Sequence, residues 1–149
     1  MTFASPSPTL SEPWSSAVPR IAALLDALPR PPLAPVLLLL PAAQAQTAVL
    51  AAAAHLGANV VTMPAHSGQD GVAQAIARTR PFAVVCAPEV FGWVSKLAFL
   101  GGCLAIYTCD EEGSGTLLDR AAHCAPAPAA TPSALPTWTI LDAQGLPAA

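Results

Sequence analysis

Four short apolar runs recur along the chain, at residues 36–40, 59–63, 82–86 and 103–108. Each run is followed, directly or after a loop, by a segment whose apolar residues have helical spacing. Strands that are apolar throughout are typical of parallel sheets, because helices cover both faces. The alternation therefore predicts an α/β fold, a doubly wound, mostly parallel sheet of four to five strands with helices on both faces.

The most apolar part of the chain, residues 37–57, is not predicted to span a membrane. A spanning helix needs roughly 20 uninterrupted apolar residues, and Pro41, Gln44, Gln46 and His55 interrupt this stretch. Pro41 instead ends a strand, and an alanine-rich helix follows from Gln44. Gly57 suits the left-handed position that ends a helix.

The two ends of the chain have a different composition. Residues 1–18 are rich in serine and proline and are predicted to be disordered. An amphipathic helix is predicted at residues 20–28, within an α/β domain of residues 19–124. Residues 125–149 are predicted to form a proline-rich linker and a last strand at residues 137–142. That strand could pair with an edge of its own sheet or with another chain.

Composition restricts the classes of partner. Charged residues make up 10% of the chain and hydrophobic residues 54%, so we expect a homodimer or a protein partner to cover apolar surface. The net charge is −3 without a basic cluster, which argues against nucleic acid binding. The first residues do not resemble a signal peptide, so a cytoplasmic location is predicted.

Cysteine and histidine spacing predicts no metal site. Cys86, Cys103, Cys109 and Cys124 form no C-x-x-C pair, and we expect reduced thiols. The three histidines, His55, His66 and His123, also lack ligand spacing. The sequence contains neither G-x-G-x-x-G nor G-x-S-x-G, so neither a dinucleotide site nor a hydrolase nucleophile is indicated, and no cofactor is predicted.

Residues 36–88 resemble the N-terminal part of the adenylate-forming superfamily, which includes acyl-CoA synthetases, nonribosomal peptide synthetase adenylation domains and luciferases. The similar segments read, in order, LLLLP, AQTAVLAAAAHLG, ANVVTMP, GVAQAIART and FAVVCAP. All of these segments are structural elements in that family. The resemblance therefore implies the fold of the first lobe of such an enzyme.

The family's catalytic motifs are missing from this sequence. The resemblance implies a Ser/Thr- and Gly-rich phosphate loop ending in lysine, a Tyr-Gly-x-Thr-Glu segment for adenine, a ribose-binding aspartate and a lysine on a mobile C-terminal domain. The nearest segment, IYTCDEEGSGT at residues 106–116, has no lysine. Asp110, Glu111 and Glu112 would repel a triphosphate. We interpret this segment as a solvated loop before a helix that starts at Thr116 and carries Asp119 in its first turn.

Candidate ligand-binding residues follow the predicted strands, at the edge of the sheet where ligands bind. They are His66, Ser67, Glu89 and Asp110. The alternative for His66 and Ser67 is an ordinary N-cap loop. For Glu89 it is a carboxylate favoured by the helix dipole.

Candidate interface residues lie on the helix at residues 90–100 and on the last strand: Phe91, Val94, Leu97 and Trp138. Two functions follow. The first is a non-catalytic interaction module, similar to a truncated adenylate-forming N-terminal subdomain, that binds a synthetase, a carrier protein or another pathway enzyme. The alternative is a small flavodoxin-like enzyme or ligand-binding domain with its site at the carboxyl edge of the sheet.

Overall fold

A five-stranded parallel sheet forms the centre of the molecule. The structure is a computed structural model, and it describes residues 10–29, 31–41, 43–126 and 137–147. The strands are β1 (Val36–Leu39), β2 (Val60–Thr62), β3 (Ala83–Cys86), β4 (Ala105–Thr108) and β5 (Trp138–Ile140). They lie in the order β4, β3, β1, β2, β5, so β4 and β5 form the two edges.

Helices cover both faces of this sheet. In the described ranges they are α1 (Trp14–Asp26), α2 (Gln44–Leu56), α3 (Gln69–Thr79), α4 (Phe91–Leu100) and α5 (Thr116–Ala121). One cluster of buried side chains joins α1, α2 and α5 to one face, and a second joins α3 and α4 to the other. The predicted doubly wound α/β fold is therefore confirmed.

Local sequence explains the elements in the middle of the chain. Every residue of β1 and β3 is buried, as expected for strands covered on both faces. The buried side of α2 consists mainly of alanines, which let this helix lie close to its neighbours. Gly57 ends α2 with φ of 72°, and the amide of Ala58 donates to the carbonyl of Ala53 at 2.9 Å.

The first helix begins earlier than the sequence predicted. Residues 14–18, predicted to be disordered, form the start of α1; residues 1–9 of that predicted segment lie outside the described residues. Trp14 is only 3% exposed and packs in the same cluster as Ile21 and Leu25. Contacts with other helices stabilise this turn despite its serine and proline content, because tertiary packing supplies most helix stability in proteins.

The last strand pairs with its own sheet. β5 lies beside β2, and the indole Nε1 of Trp138 donates to Thr62 Oγ1 at 3.0 Å. The turn after β5 packs on α3, where Gly71 and Gly145 leave room for close backbone contact. Of the predicted linker, residues 127–136 lie outside the described residues. In the described parts of the chain, no helix is long and apolar enough to cross a bilayer.

Candidate functional site

A cleft opens at the carboxyl edge of the sheet. The loops after β1, β2, β3 and β4 all contribute to it, and it encloses about 520 Å³. β1 and β3 are neighbours, but the helices that follow them, α2 and α4, lie on opposite faces. This is a topological switch point, the position where α/β sheets bind ligands.

The cleft has an apolar floor and an ionisable rim. Leu40, Ala45 and Cys109 line it and are buried. The rim carries one imidazole and four carboxylates, and most of these side chains are exposed: His66, Glu89, Asp110, Glu111 and Glu112. A mostly apolar cavity with a few polar groups at its rim has the general character of a small-molecule site.

Asp110 holds the acidic loop in its shape. Its carboxylate Oδ1 accepts hydrogen bonds from the amides of Glu112 at 2.9 Å and Ser114 at 2.8 Å. Beyond the loop, Thr116 Oγ1 accepts from the amide of Thr108 at 2.9 Å, and Gly115 precedes α5 with φ of 136°. The interpretation of this segment as a loop before a helix that begins at Thr116 is therefore confirmed.

The predicted ligand-binding residues separate into two groups. His66, Glu89 and Asp110 share the cleft. Ser67 does not line it: this side chain is buried, and its Oγ donates to the carbonyl of Pro64 at 2.7 Å, which closes the turn after β2. His66 and Glu89 make no side-chain hydrogen bond or ion pair with any described residue, so both are free to meet a ligand.

The sequence prediction missed Glu111, Glu112 and the apolar floor. Glu111 and Glu112 follow Asp110 in the DEEGSG loop, so the position of this loop after a strand was an available signal. The apolar floor could not be predicted from the sequence, because Leu40, Ala45 and Cys109 come from separate segments. Only the strand order brings them together.

The thiol in the floor is not a nucleophile at neutral pH. Burial raises the pKa of Cys109 to about 12, and the neighbouring charge of Asp110 acts in the same direction. The thiolate is the reactive form of cysteine, so this group is an inert part of the wall. All four cysteines are free, and among the described residues no three potential ligands are arranged to hold a metal ion.

The predicted interface residues differ in how deeply they are buried. Val94 is fully buried, so its side chain faces the core and is not available to a partner. Leu97 and Trp138 are half-buried against the two clusters, and Phe91 is 40% exposed. The large exposed side chains near α4 are instead Phe99 at 79%, Leu100 at 80% and Leu104 at 45%.

Solved structures of acyl-CoA synthetases and ligases are similar to this chain. ATP-bound MatB from Rhodopseudomonas palustris is 20% identical with a TM-score of 0.72, over 79% of this chain and 23% of its own. A benzoate CoA ligase from Burkholderia xenovorans is 19% identical with a TM-score of 0.67, over 80% and 24%. The acyl-CoA synthetase of Brucella canis is 15% identical with a TM-score of 0.67, over 85% and 24%.

This chain shares its fold with part of the acyl-CoA synthetases. The resemblance predicted from the apolar segments is therefore confirmed at the level of fold. The chain spans about a quarter of the length of these solved structures. No protein-family model matches the sequence, and the comparison with curated proteins finds no match.

Proposed function

We propose that this chain is a non-catalytic accessory module that binds a synthetase, a carrier protein or another enzyme of the same pathway. One observation carries the proposal: the fold of an acyl-CoA synthetase segment is present without a lysine-bearing phosphate loop within these 149 residues. The loop that follows β4 carries three consecutive carboxylates where a triphosphate would need cations. The cytoplasmic location and the identity of the partner remain predictions.

The exposed side of α4 supports a protein partner. Phe91 and Phe99 lie on this helix two turns apart, Leu100 is its last residue, and Leu104 lies just before the edge strand β4. Lys96 is the only charged residue of the helix. Large apolar side chains grouped beside an open sheet edge are typical of a protein interaction site.

The catalytic part of the proposal is tested by ATP–pyrophosphate exchange. The isolated chain is incubated with a panel of fatty, aryl and amino acids, with an intact acyl-CoA synthetase as the positive control. We expect no exchange above background and no heat of ATP binding by calorimetry. Robust exchange by the isolated chain would overturn the proposal.

The docking part is tested with matched surface variants. We expect the chain to co-purify with a synthetase or carrier protein, and the double substitution Phe99→Ser and Leu100→Ser to abolish that binding. Leu33→Ser is the control, because Leu33 is 85% exposed and belongs to the segment before β1, outside α4. Equal loss of binding in both variants would contradict a specific site on α4.

A second candidate function is supported by the cleft. A flavodoxin-like ligand-binding domain or small enzyme needs a concave site at the carboxyl edge, and a cleft of about 520 Å³ lies there. His66 and Glu89 line it, and neither makes a side-chain hydrogen bond or ion pair with a described residue. Binding of any small molecule at these residues, detected by NMR, would support this function; a probe panel that leaves their signals unchanged would contradict it.

A further inference from the structure

We propose that the cleft binds a small organic cation, a protonated amine that carries a compact apolar group. The proposal rests on the second candidate function, since it specifies the ligand of that same cleft. Three features support it: the shape of the cavity, the arrangement of its apolar and charged lining, and the lack of a lysine or arginine among the described lining residues.

The shape fits a small organic molecule. A volume of about 520 Å³ lies within the range of roughly 300–1,000 Å³ that is usual for ligand sites. The buried side chains of Leu40, Ala45 and Cys109 form the floor, and Val90 adds an apolar wall. An aryl or alkyl group on this floor would leave the charged end of the ligand at the rim.

Charge decides which end group the rim accepts. Glu89 approaches from the loop after β3, while Asp110, Glu111 and Glu112 approach from the loop after β4. Because these carboxyl groups share one rim, an ammonium group at the rim would meet carboxyl groups from two loops. Two backbone hydrogen bonds to Oδ1 hold the Asp110 carboxylate in place, while Glu89, Glu111 and Glu112 are exposed at the rim.

An anionic ligand has little to bind to in this cleft. Among the residues that the structure describes, no lysine or arginine lines the cleft. The first turn of α2 contributes Ala45 to the floor, and the positive end of a helix dipole amounts to about half a unit charge. Four carboxylates outweigh that contribution, so phosphates and carboxylates are disfavoured.

Three probes of similar shape and different charge test the proposal. Benzylamine, benzyl alcohol and benzoate carry a positive, a neutral and a negative end group on the same ring. Each is titrated into the full chain at low salt, and binding is followed by NMR through the amide signals of the lining residues and the ring signals of His66. We expect benzylamine to bind at least about fivefold more tightly than benzyl alcohol, benzoate to bind most weakly, and added salt to weaken the amine alone.

Matched variants locate the charge effect. Glu89→Gln and Glu111→Gln each remove one exposed rim carboxylate and should weaken benzylamine binding by about two- to fivefold, with benzyl alcohol binding unchanged. Asp119→Asn is the control, since it removes the same charge from an exposed position on α5 outside the cleft. An equal effect of Asp119→Asn would indicate a general charge effect and overturn the assignment to the rim.

The remaining outcomes separate this proposal from the function on which it rests. If benzyl alcohol or benzoate binds in the cleft as tightly as benzylamine, the cleft is a ligand site and the cationic ligand is wrong. If no probe shifts the signals of the lining residues, both the ligand site and its charge preference are wrong. A magnesium titration is the last arm, and magnesium that displaces benzylamine from the rim at equal concentration would replace the organic cation with a metal.

Discussion

The two faces of the sheet are closed to different degrees. In the part of the chain that the structure describes, three helices cover one face, where Trp14, Ile21 and Leu25 of α1 reach into the core beside α2 and α5. Two described helices cover the other face, and there α4 buries Val94 and Ala98 while Phe99 and Leu100 stay exposed. On the α1, α2 and α5 face, the large apolar side chains of α1 are thus buried in the core. On the α3 and α4 face, some large apolar side chains of α4 remain exposed and available to a partner.

The amino-acid sequences of α2 and α4 explain why the two faces are covered to different degrees. α2 combines small alanines on its buried side with α1 packed against it, so it is covered from both directions. α4 has large apolar residues around its circumference and lies near the open edge strand β4. Large apolar side chains on the outer side of a helix need a second layer to bury them, and among the described residues α4 is covered only on the side that faces the sheet.

The largest effect is expected from a substitution on the three-helix face. Trp14→Ala should lower the free energy of unfolding by about 3–5 kcal/mol, because it removes a buried aromatic side chain. Trp93→Ala makes the same change on the two-helix face, where the side chain is half-buried, and should lower it by less than half as much. Urea unfolding monitored by circular dichroism measures both, and equal losses would contradict the difference between the faces.

A smaller loss of stability is expected from a substitution in the contact between α3 and the turn that follows β5. A methyl group on Gly71 would collide with the carbonyl oxygen of Ala143, so Gly71→Ala should destabilise the protein by about 1–3 kcal/mol. Hydrogen exchange should become faster in β5. Gly68→Ala is the control, because a Cβ there meets nothing within 4 Å; unchanged exchange in Gly71→Ala would mean that the turn does not hold β5.

One buried thiol lies on each face of the sheet, so the pH dependence of the free energy of unfolding can compare the two faces. Burial raises the pKa of both Cys86 and Cys109 to about 12, from an ordinary value of 9.0, and the charges of Glu89 and Asp110 add to the respective shifts. Cys86 lies in the cluster under α3 and α4, and Cys109 in the one under α1, α2 and α5. The folded state therefore holds these protons more tightly than the unfolded state. The resulting stability is complete below pH 9 and is lost as the pH rises toward 12.

The measurement is the slope of the unfolding free energy against pH above 9. Each thiol should contribute about 1 kcal/mol per pH unit. Cys86→Ala and Cys109→Ala should each reduce the slope by a similar amount, and Cys124→Ala serves as the control. A slope that depends on Cys109 alone would show that the α3 and α4 face admits water at high pH.

The smallest effect on stability is expected at the exposed end of α4. Phe99→Ser should change the free energy of unfolding by less than about 0.5 kcal/mol, as is usual for an exposed position. If the chain forms the predicted homodimer through this surface, the same substitution should shift it to monomer in sedimentation velocity. A wild-type chain that stays monomeric at every concentration would exclude the homodimer and leave a different protein as the expected partner.

The sequence predicted the positions of the helices and strands better than it predicted which side chains are buried, line the cleft or face outward. Helices α2, α3 and α4 and strands β1 to β4 lie where the apolar patterns indicated, with differences only at their ends. Of the four predicted ligand-binding residues, His66, Glu89 and Asp110 line one cleft, while Ser67 is buried in a turn; ligand binding by these residues stays a prediction. The interface prediction placed Val94 on the outer face of α4, because an apolar helix has no polar side to show its orientation.

The sequence by itself determined the alternation of strands and helices, the end of α2 at Gly57 and the acidity of the loop after β4. These properties depend on residues that are close in the chain, so spacing and residue type suffice to predict them. Tertiary structure decided that Trp14 is buried, that β5 pairs with β2, and that Phe99 instead of Val94 faces outward. The strand order also decided which loops share the cleft. Each of these results depends on contacts between segments far apart in the chain, and local periodicity contains no information about them.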